Sequence, residues 1–371
     1  MAKVMNQSLF KSKSFVVPTL VWLAFIIIYV IAFEAGYRKH DSLTRTLIQW
    51  DGRLYLSIAD EGYQKFPCPD RPQYICGNGG WFPFYPMLAM IFGAVGIPIA
   101  WAMLIVSWLA LWLALLVLYP LVQRRFGDTI AAGSLVGLFL WPGSFYFLTA
   151  FPYSVFLLLA VIVFHLVDTG GYRWLWLPAG LLAVTYPSGA LIGLPLTWTL
   201  ISRWRRITPD DRTWLIAAVA SIPLAILLYF GYYWWRFDDF WLYVRIQSQP
   251  WYSHQPGFPL WTMARSFIHL PLSHPVNLSL LFALLTAAVF YSRRVPVGWY
   301  LFAFGLLLFT PTMGTTDCYY RHIVVAFPMF VLVGIALRDR VRRYFLAAWT
   351  GAALVLNWLV LLPAYKAGLL M

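Results

Sequence analysis

The sequence predicts an all-α polytopic membrane protein in a single domain over residues 1–371, and three observations carry that prediction. Of 371 residues 61% are hydrophobic and 11% charged, with 20 Trp, 22 Tyr and 28 Phe, more apolar side chain than one water-soluble core can hide. Apolar runs of roughly 20 residues, the length that crosses about 30 Å of hydrocarbon, recur from residue 15 to the C-terminus. These runs are continuous rather than alternating, which selects helices over a barrel, because in lipid each helix satisfies its own backbone amides.

The 27 Lys and Arg against 14 Asp and Glu give a formal charge of +13. Those basic residues gather in short loops between the runs, a pattern that orients helices and argues against a nucleic-acid partner.

Each element follows in order from that rule. Residues 15–33, behind Lys3, Lys11 and Lys13, are too long for the core of a cleaved signal peptide, so 15–36 read as a first helix leaving the cytoplasm. An external loop over 38–97 follows, polar up to residue 81, with short helices and a re-entry helix. Residues 98–119 return to Gln123-Arg124-Arg125. Residues 130–148 go out, 149–153 turn, and 152–167 come back to place 168–173 inside. The stretch 174–201 has the length of one crossing, yet one crossing would leave Arg203, Arg205 and Arg206 outside. Two half-crossings broken at Tyr186-Pro187-Ser188-Gly189 keep them inside, with Pro and Gly supplying the break. Residues 213–233 lead to a second external segment, 234–275, and 276–291 return to Arg293-Arg294. Residues 298–311, an external loop at 312–321, 322–337 with the basic cluster at 338–343, and 344–362 complete about ten or eleven crossings.

Ionisable residues avoid the middles of these spans: Glu34, His165, Asp168, Arg321 and His322 all lie near ends. Polar content gathers in 38–81, 234–275 and 312–322, which favours chemistry at the membrane surface over proton-coupled transport. Cys68 and Cys76 flank a Pro-rich loop where a disulfide is geometrically easy and suits an oxidising compartment, free thiols being the alternative. No Cys or His spacing fits a zinc site, so no structural metal is expected.

The most informative run is Trp50-Asp51-Gly52-Arg53-Leu54-Tyr55-Leu56-Ser57-Ile58-Ala59-Asp60-Glu61-Gly62-Tyr63. As a short helix it begins with Asp51 at or near the N-cap and stops at Gly62, a residue suited to a left-handed cap. Asp51 and Tyr55 then share a face. A carboxylate at a helix N-terminus is held ionised by the dipole and free amides, so it can take a proton from a hydroxyl or coordinate a cation, or serve only as a cap. Further on, Trp81-Phe82-Pro83-Phe84-Tyr85-Pro86 reads as an interfacial aromatic belt or as a wall for a sugar or lipid tail.

At these residues the chain resembles the glycosylphosphatidylinositol mannosyltransferase II family and its bacterial relatives, polytopic enzymes of the GT-C fold. That family's Trp-Asp-Ala-x-x-Phe/Tyr, Ile-Ala-x-x-Gly-Tyr and Phe-Pro-x-Tyr-Pro patterns correspond to Trp50-Asp51-Gly52 with Tyr55, Ile58-Ala59 with Gly62-Tyr63, and Phe82-Pro83-Phe84-Tyr85-Pro86. Thr149-Ala150-Phe151-Pro152-Tyr153-Ser154 resembles the turn between its third and fourth helices, and Arg321 with Phe327-Pro328 its late Arg-Tyr and Phe-Pro motif. The chain departs from the family at Leu54 (often His), Val155 (acidic), Tyr186 (Arg) and His322 (Tyr).

The resemblance implies a GT-C glycosyltransferase at the cell membrane with its site on the extracytoplasmic face, or in the lumen of the endoplasmic reticulum in a eukaryote. The donor would be a polyprenyl-phosphate hexose, expected to be mannose, and the acceptor a lipid or glycan. An inverting displacement then needs a base, Asp51, and a cation on the departing phosphate, Arg321 with His322 as a second donor. Trp50, Tyr55, Glu61, Tyr63, Tyr85, Tyr153 and Tyr186 are the remaining substrate-contact candidates. Arg236, Arg245, His254, His269 and His274 are unranked external candidates, and Trp251, Tyr252 and Pro256 a candidate cover. No cofactor is expected; a divalent metal is compatible with this chemistry without being required. The rival reading, a transporter or flippase of lipid-linked sugars, calls for inverted repeats and functional groups at mid-membrane, and the sequence displays neither.

Overall fold

The computed structural model describes residues 13–36, 38–40, 42–252 and 254–370; Lys3 and Lys11 lie outside them. Helix α1 (Lys13–Glu34) is followed by two short helices, α2 (Leu43–Leu47) and α3 (Asp51–Glu61). A hairpin then departs from the all-α expectation: β1 (Lys65–Cys68) pairs antiparallel with β2 (Arg71–Gly77), and the Cys68–Cys76 disulfide joins them across a Cα separation of 4.9 Å. Gly77 closes the hairpin at φ +134°, where a Cβ would stand 2.1 Å from the Gln64 carbonyl oxygen, so only glycine fits.

Helix α4 (Phe84–Gly93) leads to α5 (Ile99–Phe126), which runs antiparallel to α1: Trp22 Nε1 donates to the Trp108 carbonyl at 2.9 Å and Ser14 Oγ to Gln123 Oε1 at 3.1 Å. The helix expected over 130–148 is shorter. Helix α6 (Asp128–Leu140) stops because Pro142 follows Trp141, which takes the extended conformation (ψ 131°) that a pre-proline residue prefers. Helix α7 (Tyr153–Thr169) returns beside α5.

The expected half-crossings are two short helices, α8 (Trp176–Ala183) and α9 (Gly193–Arg203), around a tight turn at Pro187–Ile192. Arg203 Nη1 donates to the Val167 carbonyl at 3.2 Å and to the Tyr172 hydroxyl at 2.7 Å, so the excursion ends where it began. Gly189 makes the fold-back feasible, since a Cβ there would sit 1.9 Å from the Leu182 carbonyl oxygen.

Helix α10 (Pro209–Phe237) starts as its sequence prescribes: Thr208 Oγ1 accepts from the Asp211 amide, Pro209 takes the first turn, and Asp210 and Asp211 face the positive end of the dipole. It outruns the expected boundary at residue 234, and α11 (Leu242–Gln247) and α12 (Pro259–His269) occupy much of the segment read as loop. After α13 (Pro275–Phe290) and α14 (Val297–Thr312), the helix expected over 322–337 is broken. A single-turn α15 (Tyr319–His322) leads through Ile323–Val325 into α16 (Pro328–Ala336) with a 77° bend, because Pro328 has no N–H to give the preceding turn. Helix α17 (Arg342–Leu354) continues through a wider π-wound stretch, Val355–Leu361, into α18 (Leu362–Lys366). The widening turns Asn357 inward, where its amide donates to the Tyr29 hydroxyl at 2.5 Å and its carbonyl accepts from Gly143 N at 2.9 Å.

Among the described residues four helices are long and apolar enough to cross a bilayer, Lys13–Glu34, Ile99–Phe126, Pro209–Phe237 and Arg342–Lys366, and a fifth is added if the bent α15–α16 pair counts as one span. Of the best apolar windows in α1 and α10 only 17% and 22% is buried, against 56% in α5, so α1 and α10 present bare apolar surface while α5 is central. Basic loops meet at one end of the bundle: Lys13 pairs with Asp128, Arg125 with Asp168, and Arg342 donates to the Phe290 carbonyl. At the opposite end Lys366 donates to the Ala32 and Ala35 carbonyls, where α1 finishes and the segment carrying α2 and α3 begins.

Candidate functional site

Asp51 is the first residue of α3, and its Oδ2 lies 2.7 Å from Nη2 of Arg321 on α15. The Arg321 side chain is 8% exposed and that of Asp51 25%, so the guanidinium is buried and the carboxylate keeps some access to water. The Arg321 guanidinium lies over the Phe151 ring, 5.2 Å from its centroid, and its Nε and Nη1 are buried without a protein partner. A guanidinium normally finds acceptors for its N–H groups when buried, so two open donors beside one carboxylate mark a place for an anion.

Backbone strain flanks both members of the pair. Trp50, directly before Asp51, has φ 45°, and Cys318, three residues before Arg321, has φ 58°. Among the described residues only Asp238 is a further non-glycine residue with positive φ. Each such residue costs on the order of 1 kcal/mol and persists where surrounding structure imposes it, which is common at functional sites. The ring of Trp50 packs edge-on against Tyr365 at 5.0 Å, anchoring the strained turn.

Tyrosines and histidines from distant segments gather around the pair. Tyr55, one turn beyond Asp51, is 1% exposed, and burial raises its phenol well above the ordinary value, with Tyr186 and Asp51 adding to the shift. Tyr186, at the tip of the α8–α9 fold-back, shares a 2.7 Å hydrogen bond with His322 Nδ1, and its ring meets Tyr153 at 5.5 Å. Tyr153 lies within electrostatic reach of both Arg321 and Asp51. Of the external candidates only His254 comes close to this group. Burial pulls its imidazole below the usual histidine value, and the carboxylates of Asp317 and Asp51 oppose that shift. Tyr252, beside it, lies near Asp51 and packs edge-on against Trp81 at 5.9 Å.

No known protein family matches this chain by sequence, and no curated protein does. The geometry therefore carries the functional argument by itself.

Three expected contact residues stand elsewhere. Glu61 ends α3, ten residues and so roughly 15 Å from Asp51 along the axis, and accepts from Gln64 Nε2 at 2.5 Å. Tyr63 donates to the Trp81 carbonyl at 2.7 Å within a cluster that includes Tyr229 and Tyr233. Tyr85 is fully buried, with its hydroxyl on the Met103 carbonyl and Ser107 Oγ at 2.9 Å, and braces Tyr55 edge-on at 5.6 Å. The other external candidates also have structural partners or surface positions. Arg245 pairs with Asp239, Arg236 lies over Phe237, His274 caps α13, and His269 sits exposed at the end of α12.

The contacts that hold the external segments together have no local signature in the sequence. Lys65 of the hairpin pairs with Asp239 at 3.0 Å, Gln249 Nε2 donates to the Ile75 carbonyl at 2.8 Å, and Gln247 Nε2 to the Gly80 carbonyl at 2.6 Å. These bonds fasten the segments around residues 65–80 and 239–249 to each other. Asn78 adds a clamp, accepting from the Gln64 amide and donating to Ser57 Oγ and the Gly62 carbonyl.

Proposed function

We propose that this chain is a membrane glycosyltransferase of GT-C architecture that moves a hexose, mannose as the first candidate, from a polyprenyl phosphate to an extracytoplasmic lipid or glycan acceptor. The observation that carries the reading is the Asp51–Arg321 pair, with the two unpartnered N–H groups of a buried guanidinium beside a partly accessible carboxylate. A donor phosphate competes with Asp51 for Arg321, so donor binding both neutralises the departing group and frees the carboxylate. The acceptor oxygen then attacks the anomeric carbon as the carbon–oxygen bond to phosphate breaks. Its proton passes to Asp51, and polyprenyl phosphate leaves on Arg321. General-base help of this kind contributes about 10² to 10⁴ in rate.

The site's position supports the same reading. It lies at the end of the bundle opposite the basic loops, which by charge would be the extracytoplasmic face. The shorter helices α6, α7, α13 and α14 and the two halves α8 and α9 would complete the ten or eleven crossings beside the four or five long ones. Tyr186 is half-buried beside the pair and suits a sugar contact, while Tyr55 and Tyr153, each 1% exposed, pack behind it, and a site of this chemistry works without a nucleotide pocket.

The test uses purified protein with radiolabelled polyprenyl-phosphate mannose and a panel of lipid and glycan acceptors. Label transfer is expected, with Asp51→Asn losing at least about a hundredfold and Arg321→Ala at least about tenfold in kcat/KM. Full activity in both variants would remove the site assignment, and flipping of the intact donor without transfer would favour a transporter.

A further inference from the structure

We propose that the basic end of the bundle carries a binding site for the phosphate headgroup of an anionic phospholipid, in a cleft remote from the Asp51–Arg321 pair. The cleft has a volume of about 490 Å³ and is lined by Arg125, Phe126, Ile130, Arg294 and Arg338. It forms where the α5–α6 junction, the α13–α14 loop and the turn after α16 come together.

Carboxylates nearby are all engaged, one of them with the lining residue Arg125. Asp168 takes Arg125 through two bonds of 2.6 and 2.7 Å, Asp128 takes Lys13 and Gln123, and Asp339 takes Arg342. Among the described residues the side chains of Arg294 and Arg338 have no carboxylate or hydrogen-bond partner. Two guanidinium groups facing one cleft over an apolar floor of Phe126 and Ile130 repel each other until an anion stands between them. Phosphate suits that position because each guanidinium can grip two of its oxygens.

The surroundings select a lipid as the source of that phosphate. Val341, Tyr344 and Phe345, which follow Arg338 in the chain, are 66%, 80% and 52% exposed. An acyl chain running from the cleft would cover such an apolar surface, whereas a soluble phosphate would leave it bare. The arrangement pairs a cationic head site with exposed apolar residues three to seven positions further along the chain, and it stands independently of the transferase reading.

The experiment is native mass spectrometry of the purified full-length protein after exchange into micelles holding equal phosphatidylglycerol and phosphatidylcholine. Retained phosphatidylglycerol is expected, unaffected by excess inorganic phosphate. The double variant Arg294→Gln/Arg338→Gln should lower its occupancy by about tenfold or more, since each arginine near an anionic headgroup contributes several-fold. Arg205→Gln/Arg206→Gln removes the same charge from the same end outside the cleft and should change occupancy less than about twofold. Equal loss in both double variants would reduce the effect to general surface charge and overturn the site. Displacement by inorganic phosphate, or equal retention of the two lipids by the unsubstituted protein, overturns it whatever the yield of the variants.

Discussion

At one end of the bundle Arg321 is 8% exposed and shares a single carboxylate; at the other, Arg125, Arg294 and Arg338 stand exposed around an open cleft. The two ion pairs that typify these ends have almost the same length, 2.7 Å for Asp51–Arg321 and 2.6 Å for Asp168–Arg125. Each pair has one member withdrawn from water, Arg321 at 8% and Asp168 at 9% exposure, and they differ in how wet the other member is, 25% for Asp51 and 35% for Arg125. Removing one member of a buried pair strands the other in a poor solvent, whereas water and salt largely substitute for an exposed one. Distance alone is therefore a weak guide to what an ion pair contributes.

The largest effect expected on that contrast is Arg321→Ala. It should destabilise the fold by about 2–3 kcal/mol, below the usual range for a fully buried pair because Asp51 keeps some access to water. Thermal unfolding in detergent checks this, and a change as small as that of an exposed pair would erase the distinction between the ends. Next comes Gly189→Ala at the fold-back tip that carries Tyr186. Its Cβ would meet backbone at 1.9 Å, so a loss of about 1–3 kcal/mol is expected, with Tyr186 displaced from His322.

Asp168→Asn at the basic end should cost less, about 1 kcal/mol, since the residue it leaves behind, Arg125 at 35% exposure, reaches water more readily than Asp51 at 25%. A cost equal to that of Arg321→Ala would show that the basic end is as closed as the opposite one. The smallest effect concerns pH. His254 binds its proton less readily in the fold than in the unfolded chain, so as pH falls below the ordinary histidine value of about 6.5 the unfolded state gains the proton first and stability declines. The thermal midpoint should fall slightly between about pH 7 and 5.5, and His254→Asn should remove that part of the slope; an unchanged slope would place the titration elsewhere.

The long apolar helices α1, α5, α10 and α17–α18 were legible because a continuous apolar run has few other uses. The fold-back at 174–203 was legible for a different reason, as the charge rule and the Pro187-Ser188-Gly189 break agreed. Asp51 and Arg321 could be named from motif and chemistry, but their 2.7 Å contact spans most of the chain, and no local pattern encodes it. Pro142 and Pro328 were visible in the sequence, yet reading by apolar length carried helices across both. The hairpin strands went unread because short strands at 65–77 lack alternation, although the two cysteines that close them stood out. Glu61, Tyr63 and Tyr85 belong to the same motifs as Asp51 and Tyr55, and only packing separates those that gather near Arg321 from those that stand apart.

The hydrogen bonds from Arg203 to Val167 and Tyr172 have a practical consequence for mapping the chain. A reporter fused after Gly170 and another fused after Arg206 must fall in the same compartment, whichever compartment that is. Any scheme that counts residues 174–203 as one traverse inverts every assignment downstream of it, including that of Arg321. Two fusions flanking this one excursion thus fix the parity of the whole C-terminal half.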